Sequence, residues 1–115
     1  MSTISLLEFM TDDRYLSDWQ YLRHRAVCAD GFSISIQASP AHRCKLSQAE
    51  NQPYESLELG FPSEKEPLIL RYAEEKRYPM DTVYNYVPWK VVEKMLNKHS
   101  GIIGMGIGNN LSMAI

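Results

Sequence analysis

The sequence predicts an α+β domain: a small antiparallel sheet of four to six strands with two or three helices packed on one face. Three observations carry this prediction. Asp30-Gly31, a dipeptide favoured in tight hairpins, sits between two short runs that read as strands. Two more stretches, at 54–61 and 81–87, have the alternation or the β propensity of strands, and segments with helical spacing or capping residues lie around them. Finally, 115 residues, 44% hydrophobic and 23% charged, suit one core, so 1–115 is read as a single domain.

The elements follow in chain order. At 12–23, Thr11 can cap a helix, Asp12 and Asp13 suit the positive end of its dipole, and Tyr15, Leu16, Trp19 and Leu22 recur at helical spacing. Arg14 and Asp18 would add an i,i+4 pair, and Arg14, Arg23, His24 and Arg25 form a basic cluster expected on a solvated helix face. A two-residue type I′ turn at Asp30-Gly31 would place Val27 opposite Ile34 and Arg25 opposite Ile36. Phe32, Ile34 and Ile36 then face the core, while Ser33, Ser35 and Gln37 face away from a sheet covered on one side.

The polar, proline-bounded stretch 40–53 is a loop by composition, and its length invites a functional role. In 54–61, Leu57, Leu59 and Phe61 share one face of a third strand. Ser63 and Glu66 have capping-box spacing ahead of Leu68, Ile69, Tyr72 and Ala73, which predicts a short helix ending before Tyr78-Pro79. A fourth strand at 81–87 leads to Pro88 as the first residue of a helix. The apolar stripe of that helix is Val91, Val92, Met95 and Leu96; Lys94 and Lys98 suit its C-terminal end, and Gly101 is expected at C′.

The glycine-rich tail from Ser100 is too short to cross a bilayer, and it lacks both the lysine and the following helix of a phosphate loop. It reads as a terminal hairpin, 102–115, turning at Gly108-Asn109-Asn110. Gly104 and Gly106 leave one face bare, so another element or a partner is expected to pack there.

Function is mostly bounded by exclusion. Twelve basic against 14 acidic residues give no positive excess, so nucleic acid is not an expected partner. The N-terminus has neither the basic region nor the apolar length of a signal peptide, which predicts a cytoplasmic protein without membrane contact. Cys28 and Cys44 then stay reduced as spectator thiols. His42-x-Cys44, with Cys28, His24 and His99, lacks the spacing of a zinc site, so no metal or cofactor is expected. Nor does His42 or His99 clearly activate Cys44 as a nucleophile. Glu74 and Glu75 read as a solvated helix end. Tyr84 and Tyr86 alternate onto one strand face and Trp89 follows, forming the best candidate for a binding surface. Packing beneath the last helix is equally compatible with their spacing.

The strings DGFSISIQAS, HRC, ESLELGFPS, YAEE and DTVYNYVPWKVVEKMLNKHSGI, spanning about 26–102, resemble an uncharacterised family of small proteins encoded by tailed phages and prophages. Arg43 stands where that family usually has an aromatic residue, and the tail beyond Gly101 and the segment before Arg25 are particular to this chain. The resemblance implies phage origin and a small α+β fold. It further implies a non-enzymatic anti-defence inhibitor that binds a host defence or metabolic protein in the host cytoplasm. Tyr84, Tyr86 and Trp89 would supply the contact, and Leu111, Met113 and Ile115 would support self-association. The alternative is an oligomeric sponge for a nucleotide second messenger, with the aromatics stacking on its base and Arg43, Arg71 or Arg77 meeting its phosphates. A third reading is an enzyme that uses Cys44 or a metal.

Overall fold

The computed structural model describes residues 2–17 and 22–106. Among them, six strands form one antiparallel sheet: β1 (Arg25–Cys28), β2 (Ser33–Gln37), β3 (Lys45–Leu46), β4 (Tyr54–Gly60), β5 (Val83–Pro88) and β6 (Ile102–Gly106). Two α-helices accompany it, α1 (Leu6–Thr11) and α2 (Trp89–Lys98), and the fold is α+β. Alternation explains β4, where Leu57 and Leu59 turn to the core and Glu58 turns away. Ser56 meets both Lys45 and Pro88, and Leu59 meets both Ile36 and Tyr84, so β2 and β3 share one edge of β4 and β5 takes the other. From β2 the sheet continues through β1 to β6.

The hairpin at Asp30-Gly31 exists, but in a different register from the expected one. The Gly31 N–H donates to the Cys28 carbonyl (3.0 Å), the Cys28 N–H donates to the Phe32 carbonyl (2.8 Å), and only Gly31 in the turn has positive φ (+96°). This is a three-residue loop with glycine in the bulge position rather than a type I′ turn. It pairs Ala26 with Ile34 and Val27 with Ser33, one residue away from the expected register. Asp30 braces this form: its backbone is not at positive φ, and its carboxylate accepts the Phe32 N–H and contacts His99.

Phe32, Ile34 and Ile36 are core residues as expected, yet Ser35 and Gln37 are also buried. The sheet is therefore not covered on one side only. Gln37 accepts the Arg23 N–H (2.8 Å) and donates to the Arg23 carbonyl and Ser35 Oγ. Arg25 donates to Ser33 Oγ (2.8 Å) and to the carbonyls of Ser33 and Phe61. The basic cluster is thus not a solvated helix face: Arg25 is a buried strand residue and Arg23 is half-buried.

No helix runs through the described part of 12–23. Ser5 Oγ accepts the Glu8 N–H to cap α1, and α1 ends at Asp12, whose extended backbone and side chain start a 3-10 turn at Asp13–Tyr15. Thr11, expected as a cap, is instead the last residue of α1. Leu16 then bridges Arg23. The Asp12 carboxylate accepts the Arg14 N–H at this point, and Tyr15 stacks on Phe9 at 4.9 Å, so the apolar spacing is satisfied by a fold-back. Arg14 pairs with Asp12 and Glu8; Asp18 lies outside the described residues.

The helix expected after Ser63 is only a 3-10 turn, Leu70–Tyr72. Ser63 spends its polar groups on the Ser33 backbone, and Glu66 turns inward to His99 and Lys98, leaving no capping box. Ala73 and Glu74 then run along β5 through the Ala73–Tyr84 bridge and a bond from the Glu74 N–H to the Val83 carbonyl. At the exit from β4, Phe61 takes φ +51° and is only half-buried, so it does not continue the Leu57 and Leu59 face.

Pro88 closes β5 and caps α2 rather than opening it as its first residue. Trp89, Val92, Met95 and Leu96 bury the inner face of α2, while Val91 sits at its margin. The helix ends in a Schellman motif: the Gly101 N–H donates to the Leu96 carbonyl (2.8 Å) and the Ser100 N–H to that of Asn97 (3.0 Å). Ser100, not Gly101, occupies C′, at φ +71°. β6 follows, with Gly104 opposite Val27 and Gly106 opposite Arg25. A Cβ built on Gly104 meets nothing within 4 Å, so nothing among the described residues packs closely there. The rest of the predicted terminal hairpin, with Leu111, Met113 and Ile115, lies outside the described residues. No helix among them is long and apolar enough to cross a membrane.

The C-terminal motif gives opposite expectations at adjacent positions. Ser100→Gly removes a left-handed strain and should stabilise the fold by about 0.5–1 kcal/mol in denaturant titrations. Gly101→Ala should destabilise it by more than about 1 kcal/mol, since Gly101 has φ +86° and an added Cβ would lie 2.8 Å from Thr3 Cγ2.

Candidate binding surface

In β5 the register slips between Leu57–Val87 and Leu59–Tyr84, so Asn85 and Tyr86 together oppose Glu58. This bulge resets the strand's alternation, and Tyr86 adopts φ +52° to accommodate it. Tyr84 is therefore fully buried (0% exposed), with its hydroxyl donating to the Pro79 carbonyl, and Trp89 is 5% exposed in the core. Tyr86 alone points outward, 53% exposed. The expected aromatic surface of Tyr84, Tyr86 and Trp89 is not present as such, because the bulge puts the two tyrosines on different faces. Burial pushes the Tyr84 hydroxyl above the usual phenol range.

Around Tyr86 lies the loop that follows β2. The Tyr86 N–H donates to the Arg43 carbonyl (3.1 Å), and the Arg43 N–H donates to Glu58 Oε1 (2.9 Å). The Arg43 guanidinium sits 3.5 Å from Glu74 Oε1, with both side chains about half exposed. The loop thus crosses β4 and presents Arg43 beside Tyr86. Asn85 Oδ1 is buried here with no hydrogen-bond partner among the described residues.

The same loop lines a groove of about 460 Å³ formed by Ser39, Pro40, His42, Cys44, Lys45, Leu46 and Tyr54. Leu46, on β3, is 72% exposed. Ser39 Oγ lies 2.7 Å from His42 Nδ1 and accepts the Ala41 N–H, while the Cys44 thiol donates to the Ser39 carbonyl at 3.5 Å. Burial raises the Cys44 pKa, so the thiol is protonated at neutral pH and is a poor nucleophile. Cys28, inside the core, is pushed up to about 12 by burial and by the nearby Asp30.

Each of the other arginines singled out by the sequence is engaged locally. Arg71 lies 5.5 Å from the ring of Tyr72, and Arg77 is held by Glu75 beneath the ring of Tyr78. No group of three or more His, Cys, Asp or Glu side chains among the described residues could hold a metal ion.

A second polar cluster escapes sequence reasoning altogether. His99, at the end of α2, places Nδ1 2.6 Å from Asp30 Oδ2 and Nε2 2.6 Å from Glu66 Oε1, and its ring stacks on Phe32 at 3.9 Å. Glu66 is 1% exposed and accepts from Lys98 Nζ (2.9 Å) and the Leu68 N–H (3.0 Å). Burial alone would draw the imidazole down, but the two carboxylate hydrogen bonds override it and hold His99 above its ordinary value. Burial would likewise raise Glu66, yet Lys98, the Leu68 N–H and His99 hold it low. Asp30 is lowered by the Phe32 N–H and by His99. By sequence each of these residues has another role: Asp30 in a turn, Glu66 in a capping box, Lys98 at a helix end and His99 as a candidate metal or thiol partner.

No family model, curated protein or solved structure matches this chain.

The two thiols should separate cleanly in alkylation at pH 7. Half-buried Cys44 should react slowly with iodoacetamide and faster as pH rises, whereas Cys28 should stay unmodified until the protein is unfolded, as peptide mass mapping would record.

Proposed function

We propose that the protein is a non-enzymatic, phage-type accessory protein that inhibits a host defence protein by binding it through the surface centred on Tyr86 and Arg43. The observation that carries this reading is the conformation of Tyr86. A bulky residue at positive φ costs on the order of 1–2 kcal/mol, and that cost here supports an aromatic ring aimed at solvent rather than into the core. Bulges re-aim side chains at binding sites, and Tyr and Arg are the residue types that concentrate binding energy at protein interfaces. Phage origin and anti-defence action rest on the sequence resemblance. The raised pKa of Cys44 favours binding over thiol chemistry.

Tyr86→Gly separates fold from function. It relieves the backbone, so the variant should be at least as stable as the parent by thermal melting, while capture of the host partner from a lysate should fall at least tenfold. Retention of the partner at parental level would defeat the reading. The groove beside Arg43 and Lys45 favours a second reading, the nucleotide sponge, because its volume is within the range of small-ligand sites. Native mass spectrometry of protein purified gently from infected cells distinguishes the two. A species heavier by one nucleotide supports the sponge, and a bare chain or its multiple supports protein binding.

A further inference from the structure

We propose that His99, bonded to Asp30 on one side and Glu66 on the other, is a proton-dependent latch that holds the β1–β2 turn and segment 62–69 against the end of α2. Hydrogen-bond counting leads to this directly. Each ring nitrogen lies 2.6 Å from a carboxylate oxygen, and a carboxylate can only accept. Both nitrogens must therefore donate, which only the imidazolium can do. A neutral ring keeps one N–H and turns a lone pair toward the other carboxylate, converting one of its two bonds into a repulsion.

The charges facing the ring complete the count. Asp30 comes from the β1–β2 turn, Glu66 from the segment after β4, and Lys98 from α2, where it is bonded to the second oxygen of Glu66. With His99 protonated, two carboxylates meet two cations and the cluster is neutral. Once the proton leaves, a net negative charge remains around a carboxylate that is 1% exposed, which is the costly arrangement for a buried ion. Cys28, the other titratable group beside Asp30, is protonated throughout the relevant range. Phe32 adds no charge: its ring stacks on His99 and its N–H donates to Asp30.

The turn is also held to the end of α2 by the Ala29 and Asp30 N–H groups, which donate to the Gly101 and His99 carbonyls, whereas segment 62–69 reaches α2 by side chain. Segment 62–69 contributes no strand, and it meets His99 and Lys98 through Glu66. Loss of the proton therefore loosens this segment and the turn locally, while the β4–β5 ladder stays closed. The sign follows from the directions of the shifts. His99 is raised in the folded state, so its contribution is complete below about pH 6.5, the unfolded value, and is lost as pH climbs through the folded value. Asp30 and Glu66 are lowered, so their contribution is complete above about pH 4 and is lost as pH falls through their folded values. The latch is tightest between those limits.

Hydrogen exchange on the intact chain tests this. The Phe32 and Leu68 amides bond the Asp30 and Glu66 carboxylates, and the Glu74 amide, bonded to the Val83 carbonyl, is a control outside the latch. Between about pH 6.5 and the folded pKa of His99, protection factors at Phe32 and Leu68 should fall by up to about tenfold per pH unit and level off at that pKa, while that of Glu74 stays level. The NMR titration of the His99 ring should have its midpoint at that pKa. Asp30→Asn keeps an acceptor for Phe32 but removes one charge, and it should shift the midpoint down by about one pH unit. His99→Gln should abolish the pH dependence. The proposal is overturned if His99 titrates at or below 6.5, if the two amides are insensitive to pH between 6 and 10, or if Glu74 loses protection in step with them.

Discussion

Two short hydrogen bonds to one imidazole tie three separate stretches of this fold together. Asp30 and His99 are far apart in sequence, yet their bond braces the β1–β2 turn in its three-residue form, and that form sets which residues of β1 and β2 face each other. The opposite side of the ring captures Glu66 and thereby denies segment 62–69 the capping box that would have started a helix. A turn and a non-helical segment are thus both tied to one imidazole, with Pro67 also disfavouring a helix at 64–69.

That interaction also explains what could be read from sequence. β4 and α2 were legible because each has a single apolar face with a strict period: Leu57 and Leu59 at period two, and Val92, Met95 and Leu96 at the helical one. The hairpin was legible in place but not in register, since Asp30-Gly31 suits more than one turn and the choice depends on His99. Residues 12–17 carried helical spacing that a fold-back satisfies equally well once Phe9 and Tyr15 stack. At the candidate site, alternation assumes an unbroken ladder. One extra residue in β5 exchanged the shared face of Tyr84 and Tyr86 for opposite fates, and no local signal announces such a bulge. Arg43 was singled out only through the resemblance and as a possible phosphate contact; its place beside Tyr86 depends on the path of the loop.

The sheet has two kinds of interior. On one face Ala26, Ile34, Ile36, Leu57 and Leu59 pack as hydrocarbon, where volume matters more than identity. On the other, Arg25, Ser33, Ser35 and Gln37 are joined by directed hydrogen bonds, where identity matters more than volume. The polar face ties the N-terminal segment to the sheet at Arg23, and the loop bearing Arg43 lies over Glu58. The candidate surface therefore stands on a hydrogen-bonded support rather than on a greasy one.

The pairing of β1 with β6 has a consequence for how the chain assembles. β4, β5 and α2 lie within residues 54–98 and contact one another, with α2 following β5 directly, so they can condense early. Arg25, in contrast, must wait for Gly106 before its ladder closes, and closing so long a loop costs entropy that only an existing platform can offset. On the ribosome, β6 also emerges after every other described strand. Until then, one edge of β1 stays open, and during synthesis that edge is where a neighbouring nascent chain could add a strand of its own.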